Sequence, residues 1–299
     1  MSSLLRAEGL TFAYPGGTTA LHELTVDVPR GAGGLVGANG AGKTTLLRLA
    51  LGLLQPTDGT IEVAGHAVAD DPVAVRTRLG FMPEHDCLPP DQTAADVVST
   101  FAELAGLPPR SARQRAAEVL DLVGLDEARY RPVGGFSTGM RQRTKLAQAI
   151  VADPDVVLLD EPTAGLDPLG REEMLALVGR LAAFGIALVV ATHLLDDVQR
   201  VCDHVVLLDG GRLLHAGPTA ALTKRTGAMR VEVDGRAAEL AAALAGAGFA
   251  ATVVDDVTVD VATDDDAALD AVRDAIDDLG LELHLLTGRR TSLDELFIK

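Results

Sequence analysis

A chain of 299 residues with a formal charge of -17 can bury a large core, enough for one large domain and one small one, and its acidity argues against nucleic acid as a main partner. No window approaches the roughly 18 uncharged apolar residues of a membrane span; the most apolar run, Leu181 to Leu195, contains Gly185 and His193. The opening residues MSSLLRAEGL lack the basic region and long apolar stretch of a signal peptide, no covalent lipid anchor is evident, and Cys87 and Cys202 are too few for a disulfide framework, so the expectation is a cytoplasmic protein with reduced thiols.

In chain order, residues 4–14 alternate as a strand and meet a turn at Pro15, Gly16 and Gly17, and residues 24–29 form its partner. The apolar GGLV leads through a glycine-rich turn into a helix beginning near Gly42. Pro56, Asp58 and Gly59 make a turn, and TIEVAGHAV (60–68) returns as one strand. A short strand, 79–82, is cut off by Pro83. From about Thr93 to Val123 the pattern is helical, broken between Gly106 and Pro109, and a further helix spans about 139–152. The very apolar VVLLD (156–160) is a strand, followed by a helix at 170–183 and strands at 186–192, 204–209 and 212–217. Buried apolar strands alternating with helices predict a largely parallel α/β core, interrupted by a helical subdomain over about 85–150.

Charge marks the domain boundary. Residues 229–299 hold 16 acidic and 6 basic side chains, a balance of -10 that leaves -7 for the rest, so the break falls near Thr226-Gly227. The domains are then 1–226 and a small acidic unit, 227–299. The latter reads as strand 229–233, helix 236–247, strand 249–254, a tight turn at Asp255-Asp256, strand 257–261, helix 265–279 and strand 281–286. That βαββαβ order predicts a ferredoxin-like α+β fold. In its second helix Leu269, Val272, Ile276 and Leu279 make one stripe expected to be buried. Ser292 and Glu295 are spaced as a capping box ahead of Leu296-Phe297.

Two segments carry chemistry. Gly37, four residues, then Gly42, Lys43 and Thr44 match the pattern in which backbone N–H groups converge on phosphate oxygens, with glycines at 37, 40 and 42 expected at positive φ. A helix starting there turns its positive dipole end toward the anion, Lys43 reaches the β- and γ-phosphates, and the Thr44 hydroxyl reaches Mg²⁺. Asp160 and Glu161 stand at the C-terminal end of their strand, where open α/β sheets place ligands. Asp160 suits Mg²⁺ through water, leaving Glu161 to polarise the water that attacks the γ-phosphate.

With these motifs in order, residues 4 to about 220 resemble the ATP-binding subunit of an ABC transporter. The resemblance implies a P-loop α/β ATPase with an antiparallel β subdomain and a helical subdomain, followed here by the small C-terminal unit, and it implies ATP and Mg²⁺ as ligands. GANGAGKTT is then the Walker A loop, assigning Gly37, Asn39, Gly40, Ala41, Gly42, Lys43, Thr44 and Thr45 to the nucleotide. Tyr14 takes the position of the aromatic that stacks on adenine, VVLLDE is the Walker B strand with catalytic Glu161, AGLD ending at Asp167 is the D-loop, and His193 is the switch histidine.

Two motifs depart from the common pattern. FSTGM stands where LSGGQ is usual and keeps only Ser137 and Gly139, and FMPE puts Glu84 at the Q-loop glutamine. A carboxylate there either ligates Mg²⁺ or weakens nucleotide affinity. Both departures resemble the branch serving separately encoded ABC-2 type permeases, which are exporters. The resemblance further implies a homodimer closing head to tail over two ATP molecules, with Ser137 completing the opposite site, and contact of residues 85–104 with an integral membrane permease at the inner face of the cell membrane.

Other readings differ in weight. His85, Asp86 and Cys87 are possible metal ligands, yet adjacent residues rarely aim at one ion. A GTPase would need an Asn-Lys-x-Asp motif, and Asn39 is the sole asparagine. Glu161 and His193 argue against a non-hydrolysing module. A soluble family member working on DNA or ribosomes stands as the alternative, without the paired domains, coiled coil or basic surface expected of it. For the C-terminal unit, a packing appendage or dimer brace and a regulatory ligand site are both open.

Overall fold

The computed structural model describes residues 3–222, 228–262 and 267–288. The predicted boundary at Thr226-Gly227 and the segment Ser292 to Phe297 lie outside the described residues. The chain divides into two compact units, Met1–Thr219 and Ala220–Lys299. No helix among the described residues is long and apolar enough to cross a membrane.

The first unit opens with β1 (Ser3–Ala13), β2 (Thr19–Pro29) and β3 (Ala32–Val36), then α1 (Lys43–Ala50), β4 (Asp58–Val63), β5 (His66–Ala67), α2 (Pro72–Arg76) and β6 (Leu79–Met82). Next come α3 (Ala94–Leu104), α4 (Pro109–Leu122), two 3-10 turns, α5 (Thr138–Ile150), β7 (Val156–Asp160), α6 (Pro168–Ala183), β8 (Ala187–Thr192), α7 (Leu195–Val201), β9 (His204–Asp209) and β10 (Arg212–Pro218), and the short α8 (Thr219–Leu222) begins at the unit's last residue. One sheet is antiparallel, in the order β2-β1-β4-β5; the other runs β10-β9-β3-β8-β7-β6 and is parallel except for β10. Their sequences explain the difference. β1 and β2 alternate buried and exposed residues, as suits a sheet with one apolar face, whereas β3, β7 and β8 are buried at every position, as suits strands covered on both sides. Between the sheets, Leu5, Leu24, Leu46, Leu47, Leu158 and Val206 share one core, which fixes α1 and the strand ends that carry the motifs.

The helix starts are set by side chains. Thr93 accepts from the Asp96 N–H at 3.1 Å and donates to its carboxylate at 2.6 Å, a reciprocal cap on α3. Ser137 caps α5, and Asp167 caps α6 with Pro168 in the first turn. Helix α5 lies close on β6: a Cβ on Gly80 would stand 1.9 Å from the Ala149 carbonyl oxygen, a backbone atom that cannot rotate away. Gly80→Ala is therefore expected to cost about 1–3 kcal/mol, read as a lower thermal midpoint; an unchanged midpoint would contradict this packing.

Some sequence expectations need correcting. TIEVAGHAV is not one strand but a hairpin, in which Ala64 and Gly65 both take positive φ, 51° and 81°, and pair Val63 with His66. Two left-handed residues in sequence are a primed hairpin turn, whose twist suits the flanking strands. Helices α2 and α7, of five and seven residues, are too short for the sequence pattern to mark them. Gly37 has no positive φ; it is glycine because a Cβ would meet the Leu208 carbonyl oxygen at 2.4 Å.

The second unit contains β11 (Ala228–Val233), α9 (Ala237–Gly246), β12 (Ala250–Val253), β13 (Thr258–Ala262), α10 (Ala267–Leu279) and β14 (Leu283–Gly288). All neighbouring strands are antiparallel, in the order β12-β13-β11-β14, which is the split βαβ arrangement. Val231, Leu240, Leu244, Val259, Val261 and Val272 form its core. Leu269 lies off the buried stripe, 41 % exposed, and Ala268 is buried in its place. The β12–β13 turn is wider than Asp255-Asp256: the strands stop at Val253 and resume at Thr258, and the Asp255 carboxylate accepts from the Val257 N–H at 3.0 Å. That bond holds the Asp255 carboxyl below the usual carboxylate range.

Candidate active site

The site lies where β3, β7 and β8 end. β3 passes at Val36 into the loop 37–42, whose crest, Ala38, Asn39 and Gly40, is exposed while Ala41, Gly42 and Lys43 are buried. Gly42 takes φ 100° at the start of α1, where a Cβ would also meet the Ala20 carbonyl oxygen at 2.8 Å, so both conformation and space demand glycine. The Lys43 ammonium turns back over the loop, donating to the Gly37 carbonyl at 2.7 Å and that of Ala38 at 3.2 Å, and stands 3.7 Å from Glu161 Oε1. Tyr14, just past the end of β1, sits beside this helix: its hydroxyl is 3.1 Å from that of Thr45 and its ring meets Phe12 edge to face.

At the end of β7 the two acids diverge. Asp160 is 2 % exposed; its Oδ2 accepts from the Thr44 hydroxyl at 3.1 Å, while Oδ1 has no partner among the described residues. Burial pushes its carboxyl above the ordinary range, the Thr44 hydrogen bond opposes this, the Glu84 and Glu161 charges add to it and Lys43 again opposes. An orphaned, buried carboxylate oxygen beside a hydroxyl fits a hard cation such as Mg²⁺. Glu84 is exposed but near enough for its charge to act on Asp160.

Glu161 adopts φ 49°, an unusual conformation for a glutamate, and its N–H donates to the Ala191 carbonyl at 2.8 Å, prolonging the β7–β8 ladder by one bond. The carboxylate is buried, with His193 Nδ1 3.1 Å from both oxygens. A carboxylate only accepts, so Nδ1 carries the shared hydrogen. Lys43, Thr44, Asp160, Glu161 and His193, from three segments, thus converge on one place.

The remaining predicted residues lie on a second surface of the same unit. Ser137 is exposed, its Oγ accepting from the Met140 N–H at 3.3 Å, which leaves the hydroxyl hydrogen available. A Cβ on Gly139 would make only ordinary contact, 3.8 Å from Leu166, so nothing among the described residues requires glycine there. Asp167 Oδ1 accepts from the Gly170 N–H at 2.9 Å.

Sequence reasoning missed the residues that hold these segments in place. Asp197, 1 % exposed, accepts from the Thr163 hydroxyl at 2.7 Å and from Arg171 Nε at 2.7 Å, tying the helix after His193 to the segment after Glu161. Gln142 donates to the Ala164 carbonyl at 3.0 Å. Lys145 is buried with its ammonium on the carbonyls of residues 83–85; burial lowers its pKa, against the pull of Cys87, Asp86, Glu84 and Asp160.

A phosphate-binding loop at the head of a helix, with a buried lysine, a hydroxyl–aspartate pair and a second acid bonded to a histidine, defines a P-loop nucleoside triphosphatase. Residues 21–164 match the family described as ABC transporter. Over 288 residues the chain is 36% identical to a daunorubicin resistance ATP-binding protein of Streptomyces coeruleorubidus, covering 95% of this chain and 91% of that one. It is 37% identical to the Nod factor export ATP-binding protein I of Ralstonia nicotianae, covering 78% and 73%. The solved structure of cbiO1 from Clostridium perfringens, part of the ABC transporter complex cbiONQ, matches with a TM-score of 0.67 at 30% identity, over 74% of this chain and 90% of that one. The chain belongs to the ABC transporter family as an ATP-binding subunit, and it is an ATPase.

Proposed function

We propose that this ATPase powers a separately encoded integral membrane permease, an exporter of the ABC-2 type, by ATP-driven closure of a head-to-tail homodimer. The hydrolytic part rests on one observation, that the buried Glu161 carboxylate is met by Lys43 on one side and by His193 on the other. The direction of transport rests on relatives named for export and for drug resistance. The ATPase is then held at the cytoplasmic face of the cell membrane by its permease.

In this mechanism the N–H groups of residues 37 to 45 and Lys43 bind the β- and γ-phosphates, and Tyr14 faces the adenine. Thr44 and Asp160 would hold Mg²⁺, with Glu84 close by, and the bound cation would supply positive charge to the triphosphate. Glu161 takes up the proton of the attacking water as it adds to the γ-phosphorus, and the bond to the β–γ bridging oxygen breaks to give ADP and phosphate. His193 holds the Glu161 carboxylate through Nδ1 and turns its other ring nitrogen to the γ-phosphate. Ser137 of a second copy donates its free hydroxyl hydrogen to the same phosphate, and the open N-terminus of α5 adds N–H groups. The availability of that hydrogen and the room at Gly139 support an approach from outside the chain.

The test is purification of tagged Glu161→Gln protein from detergent-solubilised membranes of its own cells with ATP and Mg²⁺, where the trapped state retains its partner. An integral membrane protein with several hydrophobic spans, in comparable amount, is the expected result. Recovery of soluble or ribosomal partners alone would leave an ATPase and remove the exporter.

A further inference from the structure

Helix α5 touches three parts of the site through one face. Its cap is Ser137; Gln142 donates to the Ala164 carbonyl behind Glu161; and Lys145, three residues on, donates to the carbonyls of Pro83 at 2.7 Å, Glu84 at 2.9 Å and His85 at 3.5 Å. Lys145 is only 3 % exposed. A buried ammonium is costly unless its hydrogens are matched, and here three donors meet three consecutive carbonyls. Fixing a helix to a sheet needs no such group, because Ala149 against Gly80 already does that one turn further on. The grip falls instead on the loop that leaves β6, at the residue whose carboxylate acts on Asp160.

We propose that Lys145 is a positioning residue of the nucleotide site: by gripping residues 83–85 it makes the loop bearing Glu84 move as one body with α5, so that engagement of Ser137 reaches Glu84 and the Asp160 end of β7. The inference rests on the nucleotide-site reading above and adds a connection between its two surfaces. Removing the ammonium frees the loop without touching the phosphate-binding residues. Binding of ATP is thus spared while the geometry needed for turnover is lost.

Cys87, two residues beyond His85, is exposed and reports on the loop, whereas the Cys202 thiol is buried and pushed up to about 12. In full-length Glu161→Gln protein, the rate of Cys87 labelling by a thiol reagent is measured with and without ATP and Mg²⁺. Taking the ratio for each variant cancels any change in the thiol itself. The parent is expected to show a several-fold change on adding ATP, Lys145→Met a ratio near unity, and Lys145→Arg most of the parent's response. With Glu161 intact, Lys145→Met is expected to lower kcat about ten-fold while KM for ATP moves less than about two-fold, and Lys145→Arg to restore most of the loss. A merely structural lysine would lower the folded fraction and leave the ratio and KM-to-kcat balance unchanged. If Lys145→Met does not fold, Lys145→Gln, whose amide keeps two donors, is expected to give an intermediate ratio. A parent-like ratio in Lys145→Met, or in Lys145→Gln where that replaces it, overturns the proposal alone; no ATP response of Cys87 in the parent also overturns it, while saturable turnover with Glu161 intact decides the nucleotide-site reading separately.

Discussion

Glu161→Gln is expected to cut ATP turnover at least about a hundred-fold, the scale of losing a general base, while ATP-dependent dimers persist. The amide has the shape of the carboxylate and remains in a pocket that is 6 % exposed, so the change is confined to charge and basicity. Its oxygen still accepts from His193 Nδ1, and Lys43 keeps its bonds to the Gly37 and Ala38 carbonyls. In the proposed mechanism the binding groups are therefore intact and only proton removal from the attacking water is lost. Phosphate release by the full chain measures the first effect, and light scattering with and without ATP the second. Unchanged turnover would remove Glu161 as the base, and loss of dimers together with turnover would assign it a binding role instead.

What the sequence made legible follows from how local each signal is. The loop from Gly37 to Thr44 is one contiguous solution to holding phosphate, so residue type and spacing identify it before any fold is known. VVLLD ending in Asp160 and Glu161 is legible for a similar reason, since an unbroken apolar run is what a strand buried on both faces needs. Asp197 was illegible because its meaning lies in Thr163 and Arg171, 34 and 26 residues away, and an acid in a seven-residue helix reads as surface. Lys145 was hidden in the same way, as an ordinary helical lysine whose carbonyl partners are about 60 residues earlier. Ala64 misled because only Gly65 beside it signals a turn, and the apolar alternation continues through both. Leu269 misled because periodicity gives a stripe without its edge, and Ala268 is the residue turned inward.

Asp160→Asn is expected to stabilise the ATP-binding unit while lowering turnover by about a hundred-fold or more, since in the proposed mechanism it removes a charge that serves the reaction and not folding. Asp160 is nearly inaccessible, its Oδ1 lacks a partner, and the neighbouring Glu84 and Glu161 charges repel it; only the Thr44 hydroxyl and Lys43 favour the ionised form. Its folded pKa is therefore raised, and the folded state binds the proton more readily than the unfolded chain does. The stability this group contributes is fully present below the ordinary aspartate pKa and is lost as pH rises through the folded value. At pH 8 the ionised, buried carboxylate is thus a net cost. Asparagine offers the same oxygen to Thr44 without the charge. The midpoint of thermal unfolding at pH 8 is expected to rise by roughly 2–4 °C, as a gain of about 1 kcal/mol would give in a unit of this size, and the gap from the unmodified protein to narrow as the pH is lowered toward 4. Added ATP and Mg²⁺ are expected to raise the midpoint of the unmodified protein more than that of Asp160→Asn, because the variant has lost the carboxylate that complements the cation. A lower midpoint for the variant at pH 8 would mean that the carboxylate stabilises the fold, and the orphaned oxygen would then no longer mark a place kept for a metal.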